Sequence, residues 1–540
     1  MAKEDKLAGT GYRIQLKLSE NNMVFMKKNY DFKRSCITAV IITMLAACSL
    51  VCSQTSLPSV LSSGMVLQQN DSAALWGWDK PGQEVTVTPG WSREKHTASC
   101  DNSGKWELRL QTPSAGGPYK IAVRGSSDII LEDVLIGEVW LCSGQSNMEM
   151  TVGAINVWQP GVNDWQRELL DADYPKIRFF EVPRNAAKDK QNDCPGQWQV
   201  CSSETAKSFT AAGFFFGRKL YKELGIPVGL IKSSYGGTPS QSWTDMDFMR
   251  SHEAFKSILE KYDAACNRYP QALEEWKERV KEWEKKVEKA REDGKEAPPK
   301  PWEPMGPGNP RGPASLFNGM IHPLISYTLQ GVIWYQGEAN AREALEYRSI
   351  FPAMIENWRQ AWNKPDMPFY YVQIAPWTYP EPYIGAELRE AQLLTLSLPN
   401  TGMVVTTDLV DDIENIHPPD KKPVGERLAL WALAKVYGKK NVVYSGPLYK
   451  SMKIEKEAIR IFFDHTDGGL KAKGGKLTDF EIAGEDNEFV PAQAVIEDST
   501  VIVRNDAVKE PKNVRFGWSN TARPNLFNKA GLPASTFRTD

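Results

Sequence analysis

Histidine is scarce in this chain, five among 540 residues. None forms an HExxH pair or joins cysteines at zinc-ligand spacing, which excludes the common zinc-hydrolase layouts. Charge of one sign is lacking as well. Sixty-five Lys and Arg stand against 67 Asp and Glu, for a net charge of −2. There is no basic field for nucleic acid and no acidic tail. Cysteine is sparse, eight in all, and Cys36, Cys48 and Cys52 fall in an N-terminal leader. The remaining Cys100, Cys142, Cys194, Cys201 and Cys266 are an odd set, so at least one thiol stays free. Cys194 and Cys201, around Pro195-Gly196, are the best pair by closeness, and Cys142 reads as a small buried hydrophobe. The apolar stretch Ile37 to Val51 is too short to span a bilayer comfortably. No internal repeat is visible.

The leader itself is informative. Met26 is followed by Lys27, Lys28, Lys33 and Arg34, then the apolar stretch, then small residues. Residues 1–55 are therefore expected to be an export signal, with the true start at Met26. Two cleavage readings stand side by side. Leu45-Ala46-Ala47-Cys48 is a lipoprotein box that would leave a lipid anchor on Cys48. Val51-Cys52-Ser53 before Gln54 is an ordinary signal-peptidase site. Either reading takes the chain out of the cytoplasm, to the periplasm, the medium or a lipid-anchored place at the cell surface.

A chain this long calls for two or three domains. Residues 56–133 carry short alternating bursts such as Val85-Thr86-Val87 and Trp106-Glu107-Leu108-Arg109-Leu110, separated by Gly, Pro, Asn and Asp turns. That spacing predicts an N-terminal β-sandwich. From 134 to 440, strand-like runs alternate with helical stretches, the pattern of a doubly wound α/β sheet. A helical insertion, 250–312, interrupts it. Within the insertion Leu273, Trp276, Val280, Trp283, Val287 and Ala290 form an a/d seam among Glu and Lys, before a Pro-rich return. The seam fits an arm packed on its own domain, a dimer contact or a cleft wall. Strand patterns return over 441–540, predicting a C-terminal β-rich region. Eighteen Trp suit core packing first and sugar-binding faces second.

The chemistry lies in three short segments. Ser146, in Ser143-Gly144-Gln145-Ser146-Asn147-Met148, follows the apolar run 134–142. A buried strand ending in Gly-X-Ser presents a hydroxyl at the carboxyl edge of an α/β sheet. Met148 stands where an α/β-hydrolase elbow has its second Gly, which disfavours that fold. Gly236-Gly237-Thr238 follows another strand, and paired glycines let a backbone N–H approach a substrate oxygen. Gly337-Glu338-Ala339-Asn340 follows a third strand, and an Asn amide there can donate to an oxyanion. Gln336 and Glu338 are placed to brace that loop. His417, in Ile416-His417-Pro418, is the one histidine expected at a strand's carboxyl end, so it is the base candidate. A base must be neutral to accept a proton, so the rate should fall below about pH 6.5. Glu414 can orient its ring, with Asp408, Asp411, Asp412 or a backbone carbonyl as competitors.

Gly144-Gln145-Ser146-Asn147-Met148, Gly236-Gly237-Thr238, Trp334 to Asn340, and Ile416-His417-Pro418 with Lys422 and Gly425 together resemble the sialate O-acetylesterase family of SGNH hydrolases. Met65-Val66-Leu67-Gln68 and Gly531-Leu532-Pro533-Ala534 extend the resemblance over essentially the whole exported chain. It implies a flavodoxin-like core, a three-layer parallel α/β sheet with β-rich flanks, and cofactor- and metal-free removal of O-acetyl groups from carbohydrates. It implies Ser146 as nucleophile and His417 as base. The Ser146 and Gly237 N–H groups with Asn340 would make the oxyanion hole, and Gln145, Gly236, Gln336 and Glu338 would border the substrate. The superfamily commonly has Asp three residues before its His, where this chain has Glu414. The expected substrate is an O-acetylated sialic acid, with acetylated xylan or another plant polysaccharide as the alternative. A catalytically dead sugar-binding protein and a paired-carboxylate glycosidase fit less well, the latter because no second acid matches Glu338 in standing. Oligomeric state stays open.

Overall fold

The computed structural model describes residues 54–540, so the expected leader, with Met26, Cys48 and Cys52, lies outside them except for Gln54 and Thr55. The alternating bursts fold as β1 (Val66–Gln68), β2 (Ser72–Trp78), β3 (Glu84–Pro89), β4 (His96–Ser99), β5 (Lys105–Gln111) and β6 (Gly116–Arg124). β2 and β5 make a two-stranded antiparallel ladder. β4, β3 and β6 lie antiparallel in a sheet that continues onto β7 (Asp128–Gly144). β7 belongs to two neighbourhoods. Its first part pairs with β6, and its second part enters the α/β core. The expected junction at 133/134 therefore falls at a bulge within β7, where the ladder with β6 shifts register between Tyr119 and Ile121 and Asp133 takes φ +55. Burial changes there too: Glu132 and Asp133 are exposed, and every residue from Val134 to Gly144 is buried.

The core sheet adds β8 (Tyr174–Glu181), β9 (Trp198–Cys201), β10 (Val228–Ser234), β11 (Gly331–Tyr335), β12 (Phe369–Val372) and β13 (Thr401–Val404). The order is β13-β12-β11-β7-β10-β8-β9, parallel throughout except for edge strand β9. Alternation along each strand sends side chains to opposite faces. Trp140, Cys142, Ile333 and Tyr335 join one apolar cluster, covered by the helices Ala211–Leu224 and Lys422–Lys435. Val139, Leu141, Val332 and Trp334 join the other, covered by the helices Ala344–Ala361 and Ile384–Leu394. With both faces buried, the strands read as unbroken apolar runs, the signature of a parallel sheet. Trp243 and Trp358 meet Trp334 edge to face at 5.8 and 5.7 Å, all three fully buried. Here tryptophan serves packing.

β10 and β11 flank β7 on opposite sides, so the chain leaves β7 in two directions. Such a switch point opens a crevice at the carboxyl ends of the strands. From Leu448 onward every element is a strand, in antiparallel sheets of four, two and four. The last of these residues reach the core, where Gln373 Nε2 donates to Ser535 Oγ at 3.1 Å.

The inserted helix runs Lys256–Glu292, longer than the seam alone suggested. Its seam packs on the chain's own return: the indole N–H groups of Trp276 and Trp283 donate to the Pro301 and Pro298 carbonyls at 3.0 and 2.7 Å. The cysteine expectation is corrected. Cys194 and Cys201 are both free, because Cys194 packs in the cluster on one face of the sheet and Cys201 in the cluster on the other. Burial pushes both thiols up to about 12. Cys142 is fully buried and free, as its place in β7 suggested.

Candidate active site

At the end of β7, Gly144 takes φ +138, and a Cβ there would stand 2.2 Å from the Tyr335 carbonyl oxygen. Only glycine keeps β7 and β11 paired at that point. Gln145 N–H then donates to Tyr335 O at 2.9 Å, and the one-turn helix Ser146–Glu149 begins. Leu141–Gln145 and Asn147–Met150 are buried, and Ser146 between them is part-exposed. The turn thus offers one hydroxyl to the crevice.

Asn147 ties the distant segments together beneath that hydroxyl. Its Nδ2 donates to Glu338 Oε1 at 2.6 Å and to the Ile416 carbonyl at 3.1 Å. Its Oδ1 accepts from Lys421 Nζ at 2.6 Å. The residue after Ser146 therefore binds the residue before His417 and the loop that leads to Asn340. Lys421 is enclosed, its ammonium 5.2 Å from the centre of the Tyr335 ring. Burial pulls Lys421 down to about 7 against the pull of Glu338 and Asp420, and burial raises the Glu338 carboxyl. Sequence reasoning passed over both Asn147 and Lys421. The block around Ser146 contained the first, and the second sits one position before the Lys422 of the family pattern.

The two glycines differ in what they leave free. Gly236 N–H donates to Glu149 Oε2 at 2.8 Å, and Glu149 is held bidentately by Arg184 at 2.7 Å. Gly237, with φ +72, has no atom within 4 Å of where a Cβ would be. Among the described residues nothing accepts its N–H. Asn340 is fully buried, and its Oδ1 accepts from Ser240 N–H at 2.9 Å and Gln336 Nε2 at 2.8 Å. Those donors fix the amide orientation with Nδ2 as the free donor end, and one of its hydrogens goes to Gln241 Oε1 at 3.0 Å.

Three residues expected to border substrate face protein instead. Gln336 is fully buried, with Nε2 on Thr238 O and Asn340 Oδ1 and Oε1 on the Tyr347 hydroxyl. It holds Asn340. Glu338 is held by Asn147, and its Oε2 is buried without a hydrogen-bond partner among the described residues. Gln145 is buried, and its Oε1 accepts from Ala339 N–H at 3.2 Å, fixing the loop before Asn340.

His417 lies in the loop after β13, half-buried, with its backbone N–H donating to Asn415 Oδ1 at 2.9 Å. Burial, helped by the Lys421 charge, pulls its imidazole down to about 4. Glu414 does not orient that ring. Its exposed carboxylate accepts from Thr378 Oγ1 at 2.7 Å, and its carbonyl accepts from the Trp377 indole at 3.1 Å. Asp408 is locked bidentately on Arg427 at 2.8 and 2.7 Å, and Asp412 Oδ1 accepts Glu414 N–H. Asp411 is exposed. Among the described residues no hydrogen bond joins a carboxylate to the His417 ring, and none joins that ring to the Ser146 hydroxyl.

A cleft of about 480 Å³ opens beside these groups. Gly236, Gly237, Thr238, Gln241 and Ala339 line it together with Trp302, Glu303, Met305 and residues 309–311 of the insertion's return. The larger cleft, about 640 Å³, includes Gln330, Asn400 and Thr401. It sits at the amino ends of β11 and β13, away from the carboxyl ends where parallel sheets carry chemistry. No group of His, Cys, Asp and Glu that could hold a metal occurs among the described residues.

A family model described as "Carbohydrate esterase, sialic acid-specific acetylesterase" matches residues 136–291 and 302–433. The sialate O-acetylesterase of Rattus norvegicus is 34% identical over 447 residues, covering 75% of this chain and 78% of its own. That of Homo sapiens is 31% identical over 434 residues, covering 73% and 74%. A crystal structure of a carbohydrate acetylesterase from Xanthomonas citri superposes with TM-score 0.74 at 33% identity, covering 90% of this chain and all of that one. The chain therefore belongs to the sialic acid-specific carbohydrate acetylesterase family and is a carboxylic ester hydrolase that acts on carbohydrate esters.

Proposed function

We propose that the protein is an exported esterase that removes O-acetyl groups from sialic acids through an acyl-enzyme on Ser146. Neutral His417 takes the Ser146 proton as Oγ bonds to the acyl carbon. The resulting oxyanion is held by the Ser146 and Gly237 N–H groups and by Asn340 Nδ2. The carbon–oxygen bond to the sugar breaks, and His417 returns the proton to the leaving sugar oxygen. Water then attacks the acyl carbon, giving its proton to His417, and acetate leaves as Ser146 regains its hydrogen. Glu414 supports the His417 loop through Thr378 and takes no proton.

The observation that carries this reading is the Asn147 clasp, which joins the Ser146 turn to Ile416, Lys421 and Glu338. It supports convergence of hydroxyl, imidazole and amide at one rim of the sheet. Catalytic hydrogen bonds often tighten only with substrate, so a free Ser146 hydroxyl suits the resting enzyme. Acetyl-sialate as substrate follows the relatives' names. A neutral acetylated polysaccharide such as xylan is the second reading. Two carboxylates, Glu303 and Glu343, line the cleft against one guanidinium, Arg311, an arrangement that does not favour a carboxylated sugar. Export rests on the leader sequence alone.

The purified protein should hydrolyse 4-nitrophenyl acetate, and Ser146→Ala should abolish this. Equal turnover by the variant would sink the nucleophile assignment. Acetate release compared between O-acetylated sialic acid and acetylated xylan then decides between the two substrates.

A further inference from the structure

We propose that Trp302, presented by the inserted arm, is the platform on which the pyranose ring of the acyl sugar stacks. The inference rests on the esterase reading and extends it to how the sugar is held.

Sequence patterning makes the arm a clamp. Along the helix Lys256–Glu292, Leu273, Trp276, Val280, Trp283 and Val287 are half-buried in an otherwise mostly exposed face. Trp276 and Trp283 hold the carbonyls of Pro301 and Pro298, and the Lys300 ammonium lies 5.8 and 5.7 Å from their ring centres. Farther along, Gly306 presses on the Tyr269 ring so closely that a Cβ would stand 2.1 Å from it. Residues 298–306, with Pro298, Pro299, Pro301 and Pro304, are thus pinned along the helix, and proline leaves them little freedom to lose on binding. In the middle of this strap the Trp302 side chain is left 81% exposed.

The position of that indole gives it a use. Trp302 lines the same cleft as Gly237, the glycine with the free N–H, and Gly236. Gly236 abuts the hydroxyl-bearing residue, since a Cβ on it would lie 3.3 Å from Ser146 Cβ. The wall of the cleft at Gly236 therefore adjoins the Ser146 turn, and its wall at Trp302 carries the indole. An indole face offers a broad apolar surface of low conformational entropy, suited to the C–H face of a sugar ring. Polar groups that can pair with ring hydroxyls, Gln241, Asn309, Glu303 and Arg311, stand around the same space. The Arg311 guanidinium is 5.8 Å from the Trp302 ring centre, where it can hold the indole in place.

The test compares full-length wild type, Trp302→Ala and Trp302→Phe on 4-nitrophenyl acetate, O-acetylated sialic acid and acetylated xylo-oligosaccharide. Trp302→Ala should lower kcat/KM on the preferred acyl sugar by about tenfold, chiefly through KM, with Trp302→Phe recovering most of it. Turnover of the aryl ester, which has no sugar ring to stack, should stay within about twofold. Equal losses on all three substrates would make Trp302 a fold-shaping residue and overturn the proposal. So would no change on either sugar ester. Calorimetric binding of the two deacetylated sugars to Ser146→Ala, with and without Trp302→Ala, separates this failure from that of the esterase reading. That comparison tests stacking without any chemistry, and unchanged affinity in it also overturns the platform.

Discussion

Asn340→Asp isolates the oxyanion donor from the architecture that carries it. The Asn340 carbonyl oxygen accepts from Ser240 N–H and Gln336 Nε2, and a carboxylate oxygen in the same place accepts both. The atom that changes is Nδ2, where a donor becomes an acceptor. Loss of one oxyanion-hole donor costs about 10²–10³ in kcat, about 2.7–4 kcal/mol. A charge facing the developing oxyanion adds to that. Gln241 meets the new oxygen by turning its amide, so the fold keeps its hydrogen bonds. Asn340→Ala should lose a similar factor in kcat and also orphan two buried donors, about 1–3 kcal/mol each, which shows as a lowered Tm. The assay is steady-state hydrolysis of 4-nitrophenyl acetate from about pH 5 to about pH 9, a span chosen because burial raises a carboxyl above its ordinary range, alongside thermal melts. As pH falls toward 5 the new carboxyl regains a proton and with it a donor, so Asn340→Asp should recover activity in that direction. The reasoning is refuted if Asn340→Asp retains kcat within about threefold of wild type.

Three further predictions follow from the same geometry. Only neutral His417 can accept the serine proton, and burial with the Lys421 charge pulls its pKa down to about 4. The acid limb of kcat/KM should therefore appear as pH falls through about 4, not near the ordinary histidine value. Lys421→Met should move that limb upward part of the way, because burial, the larger cause, remains; a limb that stays put rules out the Lys421 contribution. The variant also deprives Asn147 Oδ1 of its donor, so kcat should fall as well. Glu414→Ala should stay within a few-fold of wild-type kcat, since its carboxylate serves Thr378 and not the imidazole. A loss of about 10⁴, the scale seen when a triad acid is altered, would show that Glu414 turns to His417 during turnover.

What the sequence determined by itself were the features set by local pattern. Unbroken apolar runs ending in Gly-X-Ser, Gly-Gly and Gly-Glu-Ala-Asn announced parallel strands and the polar turns at their carboxyl ends, because strand burial and turn chemistry are written in consecutive residues. The seam on the inserted helix was legible for the same reason, as a repeat along one face. Tertiary structure decided what those elements meet. β7 carries the chain through residues 133 and 134 as one strand that bulges against β6 just where burial changes, a kink set by its neighbours and not by local pattern. Cys194 and Cys201 are near neighbours in sequence yet pack on opposite faces of the sheet. Glu414 stands three residues before His417, but its side chain is set by Thr378, which arrives from a different loop. Asn147 became central only when folding carried Ile416 and Lys421 to it. Spacing along the chain reports faces and turns; which partner a polar side chain finds depends on loops whose paths are fixed by the packing of the whole sheet.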